Sequence, residues 1–278
     1  MNVVTQATIS GLFIYPVKSC AGIAVSQAQV TVTGLEHDRR WLWVNADGYF
    51  ITQREQPRLA LIQPALHEQD LMLTAPGMSP LQVSGTTQAR RMDVIIWRDQ
   101  CVGFDAGDAV AEWGSDFLNQ QVRLVRFDDA KQRLSDHHWT AGVQAPNHFS
   151  DGFPILVVSI ASLADLNSRL TQPLPMNRFR PNIVIDGVAP YAEDQIAELS
   201  DGELRLRLVK PCTRCKITTT NQLTGVIEGD EPLLTLVRYR RDLALKGVTF
   251  GQNAIVVAGV GARVSVTQTL AVVQKTDA

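Results

Sequence analysis

Cys212 and Cys215, in the run PCTRCKITTT, are the residues of this chain best placed to do chemistry: two thiols three positions apart, with Thr213 and Arg214 between them. Four readings of such a pair are open. A structural zinc site needs four ligands, and neither a second CxxC nor an HxxxH pair follows; the other cysteines are Cys20 and Cys101. A thioredoxin-like pair follows a strand and opens a helix, whereas the β-branched run KITTT reads as another strand. Two structural thiols at a strand end are the bland reading. The fourth is a single thiolate bound to a soft metal that a separate cofactor carries. Arg214 suits that reading, because a neighbouring guanidinium favours a thiolate and attracts an anionic ligand.

A second set of candidates is basic or hydroxyl-bearing and sits in loops beside Pro or Gly: Lys18–Ser19, Asp38–Arg39, Arg180–Pro181–Asn182 and Arg214–Cys215. Taken singly, each reads as a solvated loop charge. Taken together with the CxxC loop, they point to one anionic, phosphate-bearing cofactor with a thiolate-seeking metal. His137, His138 and His148 lack the i, i+4 helical spacing of a metal pair and read as exposed or ligand-gating. GxGxxG, GxxxxGK[ST] and GxSxG are all missing, so dinucleotide, nucleoside-triphosphate and serine-hydrolase readings lack their motifs.

The elements that must position these residues are mostly short strands. In ELRLRLVK, Leu204, Leu206 and Leu208 alternate with Arg205 and Arg207, which predicts a half-buried strand that stops or reaches an edge at Pro211. Strand-like runs recur at Ile9–Tyr15, Trp41–Val44, YFIT, LMLT, LQVS and MDVIIW, with Asp47–Gly48 as a hairpin signal. That spacing suggests a barrel or sandwich rather than βαβ units. Helices are predicted in GDAVAEWGSDFLN, capped by Asp105 or Asp108, in ASLADLNSRL, capped by Ser159, and in EPLLTLVRYR behind Pro232. The polar stretch Asp128–Asp151 has no periodicity and is the candidate hinge. QNAIVVAG and ARVSV read as closing strands. The expected class is mainly β with a few short helices (α+β).

Composition narrows the function. The 278 residues carry a formal net charge of −2, with 45% hydrophobic and 19% charged residues, so nothing drives the chain as a whole toward nucleic acid or an anionic membrane. MNVVTQATIS lacks a basic n-region and a long apolar core, and the run near FPILVV is too short to span a bilayer. Four cysteines make no disulfide framework, which suggests reduced thiols in a cytoplasm.

Seven motifs occur in one order: YPVKSCAG, GLEHDRRW, TQREQPRLALI, DGFPILVVSIASLADLN, FRPNIV, PCTRCKITTTNQLTG and FGQN. They resemble the MOSC family, and within it the bacterial relatives of the mitochondrial amidoxime-reducing component, over nearly the whole chain from about Ile9 to Val266. The resemblance implies an N-terminal MOSC β-barrel region, placed at residues 1–125, and a MOSC β-barrel domain at 126–278. It implies a molybdenum-pyranopterin cofactor and two-electron reduction of N-hydroxylated compounds (hydroxylamines, amidoximes, N-hydroxylated bases), the oxygen leaving as water. Carried over by motif, Cys215 matches the molybdenum ligand, and Lys18, Ser19 and Arg39 match residues at the cofactor phosphate. Arg180 and Asn182 match residues at the pterin, Arg214 precedes the ligand, and Ser150, Asp151 and Gly152 match a loop lining the cofactor. Cys212 matches a second, non-ligating cysteine. MOSC domains also serve cofactor maturation, so a non-catalytic molybdenum-cofactor carrier or sulfur-transfer module is the alternative. Some relatives carry a ferredoxin-like domain, but no cysteine follows Cys215 here. The expectation is therefore a separate electron donor, an iron–sulfur protein or flavin reductase.

Overall fold

The computed structural model describes residues 5–86 and 90–276. Seven strands close into a barrel in the order Ile155–Ser159, Ile183–Asp186, Gln6–Ile14, Thr269–Gln274, Ile196–Ser200, Arg205–Thr213 and Gly247–Ala258, the last pairing back onto the first through Ala254 and Ile155. An odd number of strands cannot alternate direction all the way round a closed ring. The parallel pair that resolves this is Ile155–Ser159 with Ile183–Asp186. Parallel neighbours need a crossover, and the helix Ile160–Ser168 supplies it. Ser159 caps that helix as predicted, its hydroxyl accepting from the Ser162 N–H at 3.0 Å.

The period of two decides what fills the barrel. Leu204, Leu206 and Leu208 are buried in it, as their alternation with arginines predicts. In Gln6–Ile14 the buried set is Ala7 and Ile9, then Leu12 and Ile14. The change of phase falls at a register shift between Ile9 and Gly11. One extra residue in a strand turns every later side chain to the other face. Burying each such leucine is worth roughly 1.5–3 kcal/mol.

Trp41–Val44, Arg123–Phe127, Asp99–Asp105 and Arg90–Ile96 form a four-stranded sheet, and Gln63–His67, Asp70–Thr74 and Leu81–Val83 a smaller one. Trp43, Leu71 and Leu73 pack with Trp113 and Phe117 of the helix Asp108–Leu118 in a second core. Neither Asp105 nor Asp108 caps that helix through its side chain; Asp105 pairs with Arg123 instead. Asp47–Gly48 turns the chain as predicted, but the run after it joins only by single bridges, Val44 to Phe50 and Tyr49 to Ile95. The strand Gln6–Ile14, although early in the chain, sits in the seven-stranded barrel. Among the described residues no helix is long and apolar enough to cross a membrane.

Two local expectations fail beside the CxxC pair. Pro211 does not end its strand: Arg205–Thr213 runs through it, with register shifts at Leu208/Lys210 and Pro211/Thr213. Bulges are where a sheet tolerates a proline, because the missing N–H falls where the ladder is already broken. KITTT is not a strand either. Lys216–Thr219 forms a 3-10 helix. The Thr218 and Thr219 hydroxyls bond back to the carbonyls of Cys215 and Lys216 at 2.9 and 2.8 Å. Such local bonds offer the backbone an alternative to a ladder and override β propensity.

Candidate active site

A cleft with an empty volume of about 750 Å³ lies against the outer face of the barrel wall. Leu156 and Asn253, paired across neighbouring strands, face it, while Ile155 and Ala254 beside them fill the barrel. All ten residues singled out in the sequence line this cleft: Lys18, Ser19, Arg39, Ser150, Asp151, Gly152, Arg180, Asn182, Arg214 and Cys215. They come from five separate stretches. Three of them, Ser19, Arg39 and Arg180, have left-handed backbones, with φ of 65°, 47° and 54°. Non-glycine residues adopt that region rarely, and such strain persists where the surroundings over-determine it.

The cations are held in two ways. Lys18 is buried; its Nζ donates to the Phe149 carbonyl at 2.8 Å and to Asp151 at 2.7 Å. Burial pulls its ammonium down to about 8, with the Asp151 carboxylate opposing. Desolvation works against the Asp151 carboxylate, but the charge and hydrogen bond of Lys18 outweigh it and keep Asp151 below the usual carboxylate range. Arg39 and Arg180 both stack on Tyr15, their guanidinium carbons 4.4 and 4.2 Å from its ring centroid. Arg39 is fully engaged, donating to Asp38 at 2.6 Å, to Asn182 at 2.8 Å and to the Arg180 carbonyl at 3.2 Å. Arg180 is not. Its Nη2 is buried without a partner, and burial pulls the guanidinium down to about 10. Arg214 gives Nη1 to the Cys212 sulfur at 2.9 Å and Nη2 to the Phe179 carbonyl at 2.8 Å, while Nε has no partner.

The four thiols sort by environment. Cys20 and Cys101 are buried, and burial pushes the Cys20 thiol up to about 12. Cys212 and Cys215 are partly exposed and line the cleft. Cys212 belongs to the strand and is bound by Arg214. Cys215 stands at the N-cap of Lys216–Thr219. Its sulfur accepts from Arg54 Nη1 at 3.8 Å.

Asn182, one of the ten, turns out to position its neighbours, and two further residues, Arg133 and Arg54, escaped the sequence reading. Asn182 lines the cleft, but its oxygen accepts from Arg39 and the Leu156 N–H, and its amide donates to Phe13 and Asp38. It positions Arg39, as does buried Asp38. Arg133 is buried and binds the carbonyls of His148, Ser150 and Asp151, shaping the Ser150–Gly152 loop from behind. Arg54, inside the motif TQREQPR, was the one of these with a visible sequence signal. His137 and His138 lie exposed on the short helix His137–Thr140. His148 faces Asp129 at 3.5 Å.

Comparison with known proteins agrees with this architecture. The family model described as the MOSC N-terminal beta barrel domain matches residues 6–121, and the MOSC domain model matches 144–275. Mitochondrial amidoxime-reducing component 1 of Homo sapiens is 40% identical over 263 residues, covering 88% of this chain and 77% of that protein. Mitochondrial amidoxime reducing component 2 of Rattus norvegicus is 39% identical over 244 residues, covering 84% and 72%. The chain belongs to the MOSC-domain family that includes the mitochondrial amidoxime-reducing components.

Proposed function

We propose that the cleft holds a molybdenum-pyranopterin cofactor and that the protein is a reductase of N-hydroxylated compounds. The observation that carries this reading is the convergence of four cationic side chains on one cleft with a part-exposed thiol, Cys215, whose one contact is a long one from Arg54. Two of those cations keep buried donors with no partner among the described residues, Arg180 Nη2 and Arg214 Nε. Leaving a buried donor unmade costs about 1–3 kcal/mol, so anionic oxygens arriving in the cleft gain that much at each. Among the described residues no group of three or more His, Cys, Asp or Glu could hold a metal ion. A metal at Cys215 must then bring most of its own ligands, as a dithiolene-bearing pterin does.

The division of labour follows. Lys18, Arg39, Arg180 and Arg214 hold the anionic cofactor, and Asn182, Asp38 and Tyr15 fix the guanidinium planes. Cys215 supplies a soft thiolate to the metal, and Arg54 steadies its charge. The cofactor, when bound, supplies the two-electron removal of an N-hydroxyl oxygen as water. The names of the relatives, amidoxime-reducing components, agree with a small N-hydroxylated substrate. Electrons come from a separate protein through a small, transient contact.

The test is metal and pterin analysis of protein made in a cofactor-competent host, with reduced viologen dye oxidised by hydroxylamine or benzamidoxime. Stoichiometric molybdenum with turnover supports the reading. Molybdenum without turnover across donors and substrates leaves a cofactor carrier in its place.

A further inference from the structure

Beside the cleft lies a second, wider groove, with an empty volume of about 1080 Å³. Asp151, Gly152 and Phe153 line both, so the two are continuous across that short ridge. The turn Trp97–Arg98 and Lys210 also line the groove. Trp97 and Arg98 are the two residues between the paired strands Arg90–Ile96 and Asp99–Asp105, with Ile96 opposite Asp99. Trp97 has φ 56°, at a position where two-residue hairpins favour glycine. A bulky residue in that conformation is a genuine outlier. Trp97 is 50% exposed, with one side of its ring against the half-buried Phe50, 5.1 Å between centroids.

The indole is nonetheless fixed. Its Nε1–H donates to Asp151 at 3.3 Å, and Arg54, which reaches Cys215, stacks on it at 4.4 Å. Phe153 presents a second part-exposed ring. The Lys210 ammonium lies 5.9 Å from that ring and 4.9 Å from Trp139. Of the groove's charges, Arg133 is paired with Asp99 and Asp151 with Lys18, while Asp136 caps a helix through the His138 N–H and, like the two cations that follow, forms no ion pair among the described residues. Lys210 and Arg98 form no ion pair among the described residues. A strained, anchored aromatic and two unpaired cations against one unpaired carboxylate in the same groove favour a flat ring that carries a negative charge.

We propose that this groove is the specificity site for the rest of the substrate: Trp97 and Phe153 receive an aryl group, and Lys210 with Arg98 binds an acidic substituent on it. The preferred substrates are then aryl N-hydroxyl compounds bearing a carboxylate. This rests on the cleft being the reducing centre, so the test separates the two.

Calorimetric titration of the purified protein with benzamidine and 4-carboxybenzamidine reads the groove without turnover. The carboxylate compound binds about tenfold more tightly to wild type, the worth of one charge-assisted contact. Lys210→Glu removes that preference, and Trp97→Gly weakens both ligands. Circular dichroism checks that each variant is folded, and Lys210→Met serves if the charge reversal is not. Equal binding of the two compounds to wild type, or a preference indifferent to Lys210, overturns the proposal even if the protein reduces amidoximes. A preference that depends on Lys210 supports the groove even where dye-driven reduction is absent, in which case the reading of the cleft is what fails.

Discussion

The barrel interior and the cleft on its outer wall share strands but obey opposite rules. Inside, Ile155, Val157, Leu206 and Ala254 are apolar, and alternate residues of regular strands place them there. Outside, Lys18, Arg180 and Asn182 are buried and Arg39 half-buried, three of the lining residues have left-handed backbones, and two donors lack partners among the described residues. One wall is optimised for its own stability. The other carries backbone strain and two buried donors that the described residues leave unmatched. A residue's contribution to folding and its contribution to function should therefore separate cleanly across the thickness of a single strand.

The sharpest separation is at the thiols. Cys215→Ser should keep a cooperative melt and lose dye-driven turnover, since a cleft thiol contributes little packing. Cys212→Ser should stay substantially active, because that sulfur is taken up by Arg214 and the Thr213 carbonyl, contacts a hydroxyl can keep. Full activity of the Cys215 variant, with loss in the Cys212 variant, would exchange their roles. The converse change is Leu206→Ala, fully buried within the barrel. It should lower unfolding free energy by about 2–5 kcal/mol in urea. Cofactor content per folded molecule should not change; a fall in that content would show that the two faces are not independent.

Lys18 gives a pH signature. Its ammonium titrates near 8 in the free cleft, and a bound anion raises that value. Anion affinity contributed by Lys18 is thus fully present below about pH 8 and is lost as pH rises toward the bound-state value. Affinity of the apo protein for inorganic phosphate should fall by up to about tenfold per pH unit over that window. Lys18→Arg should flatten the curve, because a guanidinium does not titrate there. A wild-type curve flat from pH 7 to 10 would remove Lys18 from the cradle.

The sequence was legible in unequal parts for the same reason the two faces differ. Alternation marks the barrel, so Leu204, Leu206 and Leu208 and the Ser159 cap were readable. Pro211 and KITTT were misread because tolerance at a bulge and threonine back-bonding depend on which neighbours arrive from elsewhere in the chain. The ten cleft residues could be gathered by motif resemblance, but not their division of labour. That Asn182 spends every amide atom on Arg39, Asp38 and backbone, or that Arg133 shapes Ser150–Gly152 from 17 residues away in sequence, follows from three-dimensional pairing. Trp97 reads as the end of the strand-like run MDVIIW, but the strand stops at Ile96, and nothing in the sequence marks the left-handed turn residue that follows.

The smallest effect tests whether the strain in the cleft is real. Ser19 has φ 65° and is buried, yet its hydroxyl makes no hydrogen bond among the described residues; its carbonyl accepts from Gln53 at 2.7 Å. Ser19→Gly removes the clash of Cβ with the backbone, worth about 1–2 kcal/mol for an L-residue in this region. It also loosens the unfolded chain, which costs about 0.5–1 kcal/mol. The two oppose, so apo stability should stay level or rise by no more than about 1.5 kcal/mol, read as the urea midpoint at constant slope. A loss of more than about 1 kcal/mol would mean that the Ser19 side chain is part of the packed wall. The left-handed backbone would then be a consequence of folding rather than something the cleft maintains against it.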